Sequence, residues 1–431
     1  MSGALLERID PRRAAERVWS RAAVDPETLA AAARIVEDVR RDGQRALRAH
    51  SERLGDLRPG EALAIEPARM KEALAGLEPE LRGALERSAA RIRRFAEAQL
   101  GSLSEIEVAV PGGAAGHTVL PVERAGCYAP GGRFPLPSSV LMTVIPARVA
   151  GVESAWVASP RPAPVTLAAA AVAGADGLLV AGGAQAIAAL AFGTGPAPAC
   201  DVVVGPGNRW VTAAKQLVSG RVGIDMLAGP SELAVLADRD ADPELVAADL
   251  LAQAEHDCDA VAILVTDSPA LADAVEKELL AQLAELPTAA AARESLSRNG
   301  AAMIAADPRE AVAICDLLAP EHLALHAADA GALSRRLRHC GAVFVGAGAA
   351  EVLGDYGAGP NHTLPTGGTA RFGAGLSVLT FLRVRSWLRV DDPKAAAPLA
   401  EDAAVLARAE GLEAHARSAA LRASRRIGSE R

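Results

Sequence analysis

From residue 119 to about 219, short apolar runs alternate with longer alanine-rich stretches. The runs at 122–128, 155–159, 177–181 and 201–205 predict strands. Each is followed by a stretch with helical character, at 138–150, 165–173, 184–192 and 208–219. Such alternation predicts a parallel sheet covered by helices. A second series predicts strands at 233–238, 260–266, 301–305, 322–326 and 342–346. Its helices fall near 269–285, at 308–318, and on the run beginning at Pro243. There Asp242 suits the cap, Pro243 suits the first turn, and Leu245, Val246, Asp249 and Leu250 follow at helical spacing.

Outside these series, about residues 26–101 read as helical, with charged faces over an apolar stripe at 27–36 and 73–96. Residues 111–117 read as a turn. The glycine-rich segment 354–375 is too long for an ordinary connector and is expected to be functional. The tail from Pro393 is alanine-rich and reads as helical, and no fixed-period repeat is visible. The expected fold class is α/β, with two Rossmann-like lobes built on incomplete parallel sheets and small N-terminal and C-terminal helical appendages.

At 431 residues the chain is too long for one small core. Half of it is hydrophobic but only 3% is aromatic, so the core must be built from Ala, Val, Leu and Ile. A net charge of −8 leaves no basic footprint and argues against a nucleic-acid partner. Five scattered cysteines without a C-x-x-C pair fit a reducing compartment and exclude a thiolate metal knuckle. The N-terminus lacks an apolar signal core, which gives a cytoplasmic expectation. Between Pro162 and Cys200 the only charge is Asp176, yet glycines at 174, 177, 182 and 183 break the run. A buried strand and flanking helices explain it better than a membrane span, and no membrane partner is expected.

Gln253 and His256 lie three residues apart on the Pro243 helix, hence on one face about a turn apart. A carbonyl oxygen and an imidazole so placed can share a cation, although most Gln-x-x-His pairs are simply polar helix ends. The full dinucleotide fingerprint is absent: Gly205 and Gly207 fill its first two positions, and Trp210 stands at the third. Tyr128, Gln185 and Asn208 nevertheless each follow a strand of the first series. Ligands of open α/β sheets bind at that edge, so three such side chains on one rim point to a dinucleotide. Glu321 and His322 pair a carboxylate with an imidazole at a helix-to-strand junction, as an oxidation that removes hydroxyl protons requires. The long loop adds Asp355 and His362, and the tail adds Glu410 and His415, each of which also has a plain surface or turn reading. Glu410 and His415 are about 140° apart if one helix carries both.

Taken together, nine segments resemble the histidinol dehydrogenase family over nearly the whole chain. They are 122–132 (VERAGCYAPGG), 138–142 (SSVLM), 182–195 (GGAQAIAALAFGTG), 205–208 (GPGN), 224–232 (IDMLAGPSE), 248–257 (ADLLAQAEHD), 319–323 (APEHL), 354–372 (GDYGAGPNHTLPTGGTARF) and 410–415 (EGLEAH). The resemblance implies oxidation of L-histidinol to L-histidine through L-histidinal, the last steps of histidine biosynthesis, with NAD and zinc. It implies zinc ligands Gln253, His256, Asp355 and His415, the last from the partner subunit of a homodimer with an intersubunit active site. Glu321 and His322 would transfer protons, and Tyr128, Gln185 and Asn208 would hold NAD. Ser231, Gln253, His256, His322, Asp355, His362, Glu410 and His415 would meet the substrate. Two imidazoles and two oxygen ligands suit zinc, and also manganese or cobalt.

The corresponding division is an arm at 1–23, a metal and catalytic lobe of 24–126 plus 230–376, an NAD lobe at 127–229, and a helical extension at 377–431 that reaches the partner. Two other readings compete. One is an NAD-dependent dehydrogenase of another polar alcohol, such as a sulfonated diol, on the same scaffold. The other is a two-lobed binding protein without catalysis, which the surplus of titratable groups disfavours.

Overall fold

The computed structural model describes residues 4–13, 24–131 and 134–424. Part of the expected arm (1–3 and 14–23), Gly132 of the 122–132 segment and the end of the tail (425–431) lie outside them. The chain divides into two units, one formed by residues up to 98 with 123–381, the other by 99–122 with 382 onward.

The first unit contains two six-stranded sheets. One has the order Ala64–Ile65, Gly177–Leu179, Ser154–Ala158, Arg124–Tyr128, Val202–Val204, Gly223–Ile224. All its neighbours are parallel except the Ala64–Ile65 pair. The other has the order Glu7–Arg8, Ala301–Ile304, Val261–Thr266, Glu232–Ala237, His322–His326, Ala342–Val345, parallel throughout. The two orders have the same topology. In each, the first strand of the series sits inside, the next two build outward on one side, and the last two build on the other. The order therefore reverses beside Arg124–Tyr128 in one sheet and beside Glu232–Ala237 in the other.

Five of the intervening helices, Pro137–Ala150, Pro164–Ala173, Pro243–Ala254, Pro269–Glu285 and Pro308–Leu318, begin with proline, whose fixed φ suits the first turn and whose missing N–H has no partner there anyway. Both faces of the second sheet are buried: Leu233 and Val235 pack on one side, Ala234 and Leu236 on the other. In the first sheet close packing sets two glycines. A Cβ on Gly126 would meet Leu190 at 2.9 Å. Gly205, at φ +113°, has the Tyr128 carbonyl 2.0 Å from where a Cβ would stand.

The packing differs from the expected division in three places. Helices Pro26–Asp42, Gln44–Arg53 and Pro67–Ala75 pack on helices of the first sheet, against Arg209–Val218, Gly183–Phe192 and Pro164–Ala173. They thus belong with the expected NAD lobe, because their apolar stripes specify helices but not which sheet those helices cover. Within the arm, Leu5 and Leu6 enter the core and Glu7–Arg8 extends the second sheet, so this stretch is an edge strand. The extension contains a strand, Leu382–Val390, where helix was expected.

That strand belongs to the second unit, whose antiparallel sheet runs Leu382–Val390, Gly113–Pro121, Ile106–Val110. Residues 111–112 make the turn between the last two. The unit also holds helices Ala397–Ala409 and Glu413–Ser424, which pack on each other through Ala404, Ala407 and Ala416. Val384, Leu388, Val405 and Leu406 are exposed.

Candidate functional site

The catalytic candidates meet where two neighbouring parallel strands begin. Leu233 pairs with His322, which sets the Glu232 peptide beside Glu321 and His322. The Glu232 N–H donates to Glu321 Oε2 at 2.9 Å, and the Glu232 carbonyl lies 3.2 Å from His322 Nδ1. One backbone residue therefore orients both groups. Its own carboxylate accepts from Gly367 N–H at 3.0 Å and ties the long loop to the strand. Ser231, just before, accepts Val261 N–H on its carbonyl at 3.0 Å.

His322 is buried, and Glu351 Oε1 lies 3.2 Å from its Nδ1. With carbonyl and carboxyl oxygens around Nδ1, that nitrogen carries the proton. Nε2 is left bare, buried and without a partner. Burial pushes the imidazole down to about 4, so it is a neutral base at neutral pH. Burial likewise pushes the Glu321 and Glu351 carboxyls well above their usual range.

The metal-type residues adjoin this pair. His256 Nδ1 donates to the Ala252 carbonyl at 2.9 Å, which leaves Nε2 free to ligate a cation, 3.8 Å from Asp355 Oδ2. His362 Nδ1 donates to the Asp355 carbonyl at 3.1 Å, and burial lowers its basicity. His322, Glu351 and Asp355 each bring one ligand atom to within 4.8 Å of the others. Gln253 is fully buried, and neither end of its amide has a partner. An unpaired buried amide group costs about 1–3 kcal/mol, so an orphan of this kind fits a residue that awaits a cation. Gln253 lies in the last turn of Pro243–Ala254 and His256 just beyond it, where the helix dipole favours positive charge. The residues present fit a divalent ion.

Tyr128, Gln185 and Asn208 all line a cleft of about 1120 Å³ that His256 also lines. Tyr128 ends the strand Arg124–Tyr128 and Asn208 follows its neighbour Val202–Val204, the two strands between which the strand order reverses, the place expected for a ligand. Tyr128 Oη accepts Gly183 N–H at 3.2 Å, and burial pushes the phenol up to about 12. Asn208 caps its helix by accepting from Trp210 and Val211 N–H. The Gly205 turn before it is clamped from below: Asp225 accepts Gly205 N–H at 2.7 Å, and Lys215 bonds Asp225 at 2.6 Å and the Gly205 carbonyl.

Glu410 and His415 belong to the second unit. They do not share a helix: Glu410 is the C-cap of Ala397–Ala409, Gly411 turns the chain at φ +77°, and His415 lies in the first turn of Glu413–Ser424. The 140° estimate for a single helix therefore does not apply.

Three residues of these sites escape a reading of the sequence. Glu351 stands four residues before Asp355, a helical spacing that carried the signal. Glu232 acts through its backbone, and Asp56, which accepts from Gln185, sits in a loop with no motif; neither leaves a trace in residue type.

Comparison with known proteins agrees over most of the chain. A family model described as histidinol dehydrogenase matches residues 20–423. Histidinol dehydrogenase of Thermus thermophilus is 50% identical over 392 residues, covering 90% of this chain and 93% of the relative. That of Ralstonia nicotianae is 45% identical over 404 residues, covering 92% and 91%. The crystal structure of histidinol dehydrogenase from Elizabethkingia anophelis superimposes with a TM-score of 0.91 at 30% identity, covering 98% of this chain and 99% of that one.

Proposed function

The chain belongs to the histidinol dehydrogenase family, and we propose that it oxidises L-histidinol to L-histidine through L-histidinal, with NAD and zinc, as the end of histidine biosynthesis in the cytoplasm. The observation that carries this reading is the single Glu232 peptide that orients both a neutral imidazole and a carboxyl of raised affinity for protons. Two successive oxidations with a hydration between them need such a pair.

Gln253, His256, Asp355 and His415 of the partner subunit would hold zinc, which when bound supplies a fixed positive charge that orients the imidazole and amine of the substrate. Tyr128, Gln185 and Asn208 would hold NAD, which when bound would supply the hydride acceptor for both oxidations. His322 Nε2 takes the hydroxyl proton of the alcohol. Glu321 takes a proton from the water that adds to the aldehyde. His322, which at about 4 returns the first proton to solvent, then deprotonates the resulting hydrate for the second oxidation. Ser231, His362 and Glu410 complete the substrate contacts with the metal ligands and His322. A homodimer follows from the donated histidine, and the exposed Val384, Leu388, Val405 and Leu406 support it as apolar surface in need of cover. Among the described residues no helix is long and apolar enough to cross a membrane.

The direct test incubates purified protein with L-histidinol and NAD and follows NADH and histidine. Two NADH per histidine is the expected result. NADH with another polar alcohol but not with histidinol would select the sulfonated-diol reading instead.

The division of labour gives a sharper expectation. Glu321→Gln should slow oxidation of supplied L-histidinal by at least ~10²-fold, the scale of one lost general base, and slow the alcohol step far less. Equal losses in the two half-reactions would sink the water-activating role. The pH profile follows with its sign. A carboxyl raised by burial keeps its proton to higher pH, so the aldehyde step falls as pH drops through that raised value. This limb lies above the ordinary 4.5 and is absent in Glu321→Gln. His322, at about 4, adds no limb near 6.5.

A further inference from the structure

Asp56 follows the helix Gln44–Arg53 in a loop and is buried, its N–H donating to the Ser51 carbonyl at 2.8 Å. Its Oδ2 accepts two hydrogen bonds across more than a hundred residues, from Gly182 N–H at 2.8 Å and from Gln185 Nε2 at 2.7 Å. Gly182 is the N-cap of Gly183–Phe192, and Gln185 stands in its first turn. All three residues line the cleft.

A carboxylate only accepts, so the group that Gln185 turns toward Asp56 must be its NH2. The Gln185 carbonyl oxygen is then forced to the other side, where it is buried and has no partner. The two leading amides of this helix are also taken, Gly182 by Asp56 and Gly183 by Tyr128 Oη. A helix start that would ordinarily attract phosphate already faces a carboxylate.

We propose that Asp56 is a positioning residue for the dinucleotide: it locks the Gln185 amide so that the cleft presents a lone hydrogen-bond acceptor, and its carboxylate at this helix start repels the diphosphate. The part of the ligand seated here is therefore a donor, a ribose hydroxyl or an amino or carboxamide NH2, and the diphosphate lies elsewhere. This inference rests on the reading that the cleft holds NAD.

The test is a double-mutant cycle read by calorimetric NAD binding to the zinc-loaded enzyme, together with the KM for NAD. Asp56→Ala should weaken NAD binding about tenfold or more, about the worth of one hydrogen bond whose buried partner is left loose. The KM for NAD should rise in step, and kcat should change far less. Gln185→Ala should weaken binding to a similar degree, and the double variant should be no worse than Gln185→Ala. Asp56→Asn, whose side-chain oxygen can accept the same two bonds, should recover most of the affinity lost in Asp56→Ala. A purely structural Asp56 would lower the melting temperature and leave NAD affinity in place. Unchanged affinity in Asp56→Ala, or losses that multiply in the double variant, overturns the inference.

Should Asp56→Ala not fold, Gln185→Glu probes the contact from the other side by setting two carboxylates against each other. Its NAD affinity should fall at least tenfold and recover at least threefold when Asp56→Asn is added; no recovery overturns the inference. A wild-type protein that binds no NAD overturns the reading of the cleft, whereas wild-type binding with an indifferent Asp56→Ala overturns only the role given to Asp56.

Discussion

Replacing His322 with asparagine is expected to lower kcat by about 10³-fold, within the range of a lost general base, while one zinc per protomer stays bound. Asparagine can still offer an N–H to the Glu232 carbonyl that now faces Nδ1 at 3.2 Å, so the strand pairing has no reason to change. What disappears is Nε2, the bare nitrogen with no protein partner. Because burial holds this imidazole at about 4, essentially every molecule at pH 7 has the acceptor ready. The loss should therefore be equally large from pH 6 to 9. Steady-state rates with elemental analysis of zinc check the expectation. A loss smaller than tenfold with metal retained would remove His322 from the chemistry, and loss of zinc would show it to be part of the metal site, as its nearness to Glu351 and Asp355 would then explain.

The second large effect concerns subunits. His256→Ala and His415→Ala should each be inactive, since each takes away one proposed zinc ligand. Refolded together in equal amounts they should regain activity, about a quarter of wild type. Random pairing in a twofold dimer makes half the dimers mixed, and each mixed dimer has one site with both histidines intact. If His415 instead serves its own chain, mixing restores nothing. The two mutations would then leave every site short of one ligand in every dimer.

Much of this molecule can be read along the chain. The strands of both series lie within a residue or two of their expected places, since a buried parallel strand is a short apolar run and most covering helices start with a recognisable signal such as Pro243 after Asp242. The strand Leu382–Val390 was legible in principle, for its side chains alternate as LRVRSWLRV, but its partner Gly113–Pro121 lies some 270 positions away and nothing local announces it. The helices between 26 and 75 show the converse: their type is local, while the sheet they cover is not.

The chemical inventory lies in the sequence alone: which residues can take protons, which can ligate a cation, and which strand ends carry polar side chains. Those properties belong to each residue type and its nearest neighbours, through the periodicities of helix and strand. Tertiary structure decided everything that depends on register between distant segments. Pairing Leu233 with His322 brings one peptide onto both Glu321 and His322. The loop at Asp56 reaches Gln185, Glu351 reaches Nδ1 of the imidazole, and burial displaces their proton affinities. Desolvation and hydrogen-bond geometry are set by which surfaces meet in space, and no spacing along a chain encodes them locally.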